Sequence, residues 1–244
     1  MISAITPTPE AVFFDVDDTL YDHLIPFRKA LQNILHTDQN FPYEQAYHRM
    51  RYYSDTLSAQ AGGTPTHGKV LEDMRRNRFV LSLAEFGLHL TADQGQSVQN
   101  EYLNNQFAIE LFDGAEALIH ELKRRGTVVG LITNGPPEHQ LQKIQALGVD
   151  RIVTSDRIFI SGVVGITKPD RKLFDHVTAS LGLTPSGCYY IGDSWRNDVV
   201  GAISAGWNVL WFNHRDVEPE SHHQPHHVVS SYRDIASILL NLYN

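Results

Sequence analysis

The stretch Ala11-Val-Phe-Phe-Asp15-Val-Asp17-Asp18-Thr19-Leu20 constrains the fold more than any other part of the chain. Four apolar residues suit a buried strand, and they run straight into carboxylates spaced i, i+2. On an extended chain alternate side chains share a face, so Asp15 and Asp17 can address one small site where the strand stops. Like charges that close resist joint ionisation unless a cation offsets them or one carboxyl keeps its proton. The same residues also suit an acidic turn that merely caps the next segment. The rest of the chain has to decide between the two.

Further strands are expected at 128–132, 188–191 and 208–212, with a weaker candidate at 151–155. Helical spacing of apolar residues over 115–125, 137–147, 172–181 and 197–205 separates them. Such alternation implies βαβ crossovers and a mostly parallel, doubly wound α/β sheet. Ligands then bind beyond the carboxyl ends of the strands, where strand order reverses. Residues 22–110 break the rhythm and read as helices alone, at 26–35, 43–57, 68–86 and 92–110. They predict a helical cap domain inserted into a core of 1–21 and 111–244, placed like a lid over the strand ends. A polar loop holding His222, His223, His226 and His227 precedes a last helix over 232–242. Adjacent histidines point apart on an extended chain, so this loop reads as solvated rather than as a zinc site.

The formal net charge of -8 argues against a nucleic-acid backbone as partner. A small anionic substrate remains compatible with it, because one lysine and a bound cation reverse the potential locally. The single cysteine, Cys188, rules out an internal disulfide framework and fits a reducing compartment. Neither a signal peptide nor an apolar stretch long enough for a bilayer is visible, so a cytoplasmic protein with no membrane partner is expected.

Three further polar groups stand at expected strand or loop exits. Thr133-Asn134-Gly135 offers a hydroxyl and backbone amides suited to phosphate oxygens or to simple turn capping. Lys168 precedes Pro169, which biases its backbone to an extended form. Taken alone, it reads as a surface lysine with Pro169 in the first turn of a helix. Asp193 ends a buried run, and Asp198 follows on an expected first helical turn. Oxygen ligands of this kind select hard cations, with Asp193 suited to direct contact and Asp198 to a supporting position.

The ordered set Asp15-Val-Asp17-Asp18-Thr19, Ile132-Thr133-Asn134-Gly135, Thr167-Lys168-Pro169-Asp170 and Gly192-Asp193-Ser194 with Asn197-Asp198 resembles the four motifs of the haloacid dehalogenase superfamily. The resemblance runs from about 11 to 212. It implies a Rossmann-like core with an α-helical cap and, in most members, phosphatase activity. It further implies that Asp15 is the nucleophile and Asp17 the general acid/base. Thr133, Asn134 and Lys168 would bind the transferring phosphoryl group. Asp15, the Asp17 backbone carbonyl and Asp193 would hold Mg2+, with Asp198 in support.

The expected function is therefore magnesium-dependent hydrolysis of a small phosphomonoester through an aspartyl-phosphate. A phosphomutase would use the same motifs. A dehalogenase would have no use for an acid at Asp17 or a metal ligand at Asp193, and a non-catalytic binding protein would not need every position filled. The cap is similar to that of bacterial nucleoside 5′-monophosphate phosphatases, which makes nucleotides one substrate class beside sugar phosphates and flavin mononucleotide. Tyr43, Tyr47, Arg49, Arg51, Tyr52 and Tyr53 could stack on a base and pair with an anion. They read equally as an amphipathic helix with packed aromatics and solvated arginines.

Overall fold

The computed structural model describes residues 8–63, 65 and 67–243. Strands β1 (Ala11–Phe14), β2 (Val128–Thr133), β3 (Ile158–Ile160), β4 (Cys188–Gly192), β5 (Asn208–Phe212) and β6 (His227–Val229) form one sheet of order β3-β2-β1-β4-β5-β6. Every neighbouring pair is parallel. Strand order reverses at β1, which lies between β2 and β4, so the switch point of this doubly wound sheet is the carboxyl end of β1. All four residues of β1 are buried, as a strand covered on both faces requires.

The chain divides into two compact units. The first comprises 1–21, 111–134 and 147–244, and the second 22–110 and 135–146. Phe13, Phe174, Tyr190, Trp207 and Val209 belong to the core of the first unit. The second unit is built on α1 (Leu24–Leu35), α2 (Tyr43–Gln60), α3 (Gly68–Ala84) and α4 (Ala92–Asn105). Its own core gathers Phe27, Tyr47, Met50, Phe79, Val98 and Tyr102. Helix α4 opens on a capping box: Thr91 Oγ1 accepts from the Gln94 N–H at 3.2 Å, and Gln94 Oε1 accepts from the Thr91 N–H at 2.9 Å. Helix α5 (Ala115–Arg124) belongs to the sheet unit, whereas α6 (Pro137–Ala146), assigned to the sheet core from the sequence, groups with the helical unit.

Two local expectations are corrected. The strand sought at 151–155 is instead a 3-10 turn, Val149–Arg151, with irregular chain after it, and the strand is β3 at Ile158–Ile160. Ile152 and Val153 are buried all the same, which is why their apolar character imitates a strand. The segment expected to be one helix over 197–205 is a π-helical turn, Trp195–Val199, continued by α9 (Val200–Ser204). The remaining helices of the sheet unit are α7 (Ser161–Val164), α8 (Arg171–Leu181) and α10 (Tyr232–Asn241).

Candidate active site

The backbone of β1 carries Asp15 to the switch point, where its N–H still donates to the Ile191 carbonyl of β4 at 2.9 Å. Its carboxyl is buried and faces Lys168, which proves to be 4 % exposed and not a surface residue. Lys168 Nζ donates to Asp15 Oδ1 at 2.7 Å, to Asp198 Oδ1 at 2.6 Å and to the Tyr190 hydroxyl at 2.9 Å. An ammonium has three protons, so the chain itself provides an acceptor for each. Burial works against the Lys168 charge, and the two carboxylates outweigh it and hold the pKa above the ordinary lysine value. Burial also pushes the Asp15 carboxyl up to about 7, with Lys168 opposing the shift and Asp198 and Asp17 adding to it.

Pro169 lies before α8 rather than in its first turn. The N-cap is Asp170, whose carboxyl accepts from the Lys172 N–H at 2.9 Å. Asn134 fixes the backbone of Lys168: Nδ2 donates to the Lys168 carbonyl at 3.0 Å, and Oδ1 accepts from the Lys168 N–H at 2.9 Å. Thr133 ends β2 and is buried beside it in sequence.

Asp198 sits in the π-helical turn, wholly buried, and its Oδ2 accepts from the Ser194 N–H at 2.9 Å. A Cβ on Gly192 would come within 2.3 Å of that same oxygen, so only glycine leaves room for this carboxyl. Asp193 is held from two sides. Its N–H donates to Thr19 Oγ1 at 3.0 Å, and its carbonyl accepts from Trp211 Nε1 at 2.8 Å.

Carboxylate oxygens of Asp15, Asp193 and Asp198 lie within 4.8 Å of one another, the one group of potential metal ligands among the described residues. Three hard oxygen donors at that spacing suit a small divalent cation. The carboxyl of Asp17 is not in this group. It is partly buried, and the Tyr21 hydroxyl donates to its Oδ1 at 2.6 Å.

Several supporting residues escaped the sequence reading. Asp18 adopts φ 61° and is clamped by Arg215, whose Nε and Nη2 each donate to its carboxylate at 2.7 Å. The Tyr232 hydroxyl donates to the Thr19 carbonyl at 2.7 Å. Tyr190 was hidden in an apolar run, and only its position two residues before Gly192 could have marked it. No sequence signal ties Arg215 to Asp18. His222, His223, His226 and His227 do not form a ligand group, and His226 Nδ1 instead accepts from the Val209 N–H at 3.1 Å. Cys188 is buried, and burial pushes its thiol up to about 12, as an inert structural thiol should be.

A family profile described as haloacid dehalogenase-like hydrolase matches residues 9–206. Glyceraldehyde 3-phosphate phosphatase from Methanothermobacter thermautotrophicus is 30% identical over 224 residues, 88% of this chain and 90% of its own. N-acylneuraminate-9-phosphatase from Mus musculus is 26% identical over 95% of this chain and 94% of its own. Among solved structures, the magnesium-bound HAD-hydrolase YfnB from Bacillus subtilis superposes with a TM-score of 0.71 at 23% identity, covering 95% of this chain and 98% of that one. A dehalogenase superposes with a TM-score of 0.75 at 18% identity, over 96% of this chain and 98% of its own. A profile match over most of the sequence, an unbroken parallel sheet and four motifs converging on the end of β1 agree: the chain belongs to the haloacid dehalogenase-like hydrolases.

Proposed function

We propose that the protein is a divalent-cation-dependent phosphatase that hydrolyses small phosphomonoesters through a phosphorylated Asp15. The observation that carries this reading is the trio Asp15, Asp193 and Asp198, two of which, Asp15 and Asp198, pair with the buried Lys168 ammonium. Hydrolytic dehalogenation expels a halide that needs neither proton nor metal, and it would leave an acid at Asp17 and a metal ligand at Asp193 without a task. The likeness to dehalogenase structures is at low identity and speaks for the fold alone. The relatives similar in sequence carry phosphatase names, which supports the same choice.

Mg2+ held by Asp15, the Asp17 backbone carbonyl and Asp193, with Asp198 in support, would supply positive charge against the phosphate oxygens. Asp15 attacks phosphorus as the carboxylate, so that an aspartyl O–P bond forms while the ester O–P bond breaks. Lys168 keeps Asp15 in place and adds its charge against the equatorial oxygens as negative charge builds there. Asp17 gives a proton to the departing alkoxide, then takes one from the water that hydrolyses the aspartyl-phosphate; such transfer is worth ~10²–10⁴ in rate. Thr133 presents its hydroxyl to the phosphoryl group, and Asn134 contributes by fixing the Lys168 backbone. The cytoplasmic location inferred from the single cysteine belongs to this same reading.

Phosphate release from an aryl phosphate and a panel of nucleotides and sugar phosphates tests it, with Mg2+, with EDTA and with Asp15→Asn. Release should require the cation and vanish in Asp15→Asn. Wild-type turnover by the purified variant would overturn the mechanism.

A further inference from the structure

The helical unit contains a charged group that none of this chemistry uses. Arg78 lies on α3, and its Nη2 donates to Gln99 Oε1 of α4 at 2.8 Å while Nη1 reaches Ser54 Oγ of α2 at 3.4 Å. Its guanidinium carbon stands 5.3 Å from the ring centroids of both Phe79 and Tyr102. Among the described residues no carboxylate pairs with it. Burial brings its pKa down to about 10; Tyr102 and Tyr47 oppose that fall, while Arg75 and Arg51, of its own sign, add to it. Two N–H groups are left over: Arg78 Nε and Gln99 Nε2 are shut off from solvent without a hydrogen-bond partner.

A buried donor left unmade is destabilising, so native proteins carry few of them. Here two occur on side chains hydrogen-bonded to each other, beside a guanidinium with no counter-ion. Such an array of N–H donors matches the oxygens of a carboxylate or phosphate. Arg78 as a whole is only partly buried, while its Nε is closed off from solvent. We propose that Arg78 and Gln99 form an oxyanion-binding site within the helical unit, which takes a small carboxylate or phosphate group. That group is a separate small anion, so the site does not rest on the phosphatase reading.

The probe is malonate, titrated calorimetrically into the full-length protein without divalent cation. Wild type should bind it saturably in the millimolar range. Arg78→Met and Gln99→Leu should each weaken binding about tenfold or more, the equivalent of one charged hydrogen bond, and Arg78→Lys should recover part of the loss. A melting curve for each variant establishes that it is folded, and the wild-type titration decides the matter by itself if Arg78→Met is not. Absence of saturable binding by wild type, or binding that folded variants leave unchanged, overturns the site.

A separate anion predicts that malonate alters p-nitrophenyl phosphate turnover without competing. If p-nitrophenyl phosphate and the rest of the panel are not hydrolysed at all, the phosphatase reading fails, while the malonate titration still judges the site.

Discussion

Lys168 places all three of its protons on groups of the chain, two of which are carboxylates. Removing one partner of a buried ion cluster leaves the others uncompensated, at a cost of ~3–5 kcal/mol. Lys168→Met should therefore lower stability by that order in urea unfolding without divalent cation, and added Mg2+ should narrow the gap by offsetting Asp15 and Asp198. An unchanged unfolding midpoint would show that the ammonium does not hold these carboxylates together. Gly192→Ala presses a methyl group into Asp198. Overpacking of this kind costs about 1–3 kcal/mol, and the displaced carboxyl should abolish Mg2+ protection against heat. At this scale the sequence disclosed the residues that carry charge but not their supports. Asp15, Lys168 and Asp198 stand out as polar groups at strand or loop exits, and their order singles them out together. Tyr190 is indistinguishable from a core aromatic, and the Arg215 clamp on Asp18 joins loops far apart in sequence.

Elements were legible where periodicity and length agreed. Strands β1 and β5 have the extents expected of them, and β2 and β4 are each one residue longer than expected. Failure came where burial and secondary structure part company. Ile152 and Val153 are buried without being a strand, while the three-residue edge strand β3 is too short for alternation to show. A π-helical turn has no periodic signature over five residues, so the turn that carries Asp198 could not be told from an α-helix. The aromatic and basic residues of α2 proved to be mixed. Tyr43 and Tyr47 are core, whereas Arg49 pairs with Glu85 at 2.5 Å and lies over Tyr52. One contact at a helix end is directly measurable. Thr91→Ala removes the capping box of α4 and should cost about 1 kcal/mol in thermal or urea unfolding, with phosphate release unchanged. A loss of activity at equal stability would tie the cap to catalysis instead.

The molecule as a whole has two hydrophobic cores, each closed within its own unit. A cation bound by Asp15 and Asp193 stabilises only the folded sheet unit, by mass action that grows with the logarithm of its concentration. Tm should therefore rise with Mg2+, and Asp193→Asn should flatten that dependence. A persistent rise in the variant would place the cation elsewhere. The central position of β1 has a last consequence, in the order of assembly. Its residues pair with Val128 to Leu131 on one side and with Cys188 to Ile191 on the other. The strand that leads into Asp15 precedes both of its neighbours in the chain and must wait for distant segments before either edge is paired. Such distant pairings form slowly, because the intervening chain has to be ordered before they can reward it. No nascent fragment that ends before β4 can hold Asp15 and Asp193 together, so the carboxylate cluster comes into being only after β4 and the turn that follows it have been made.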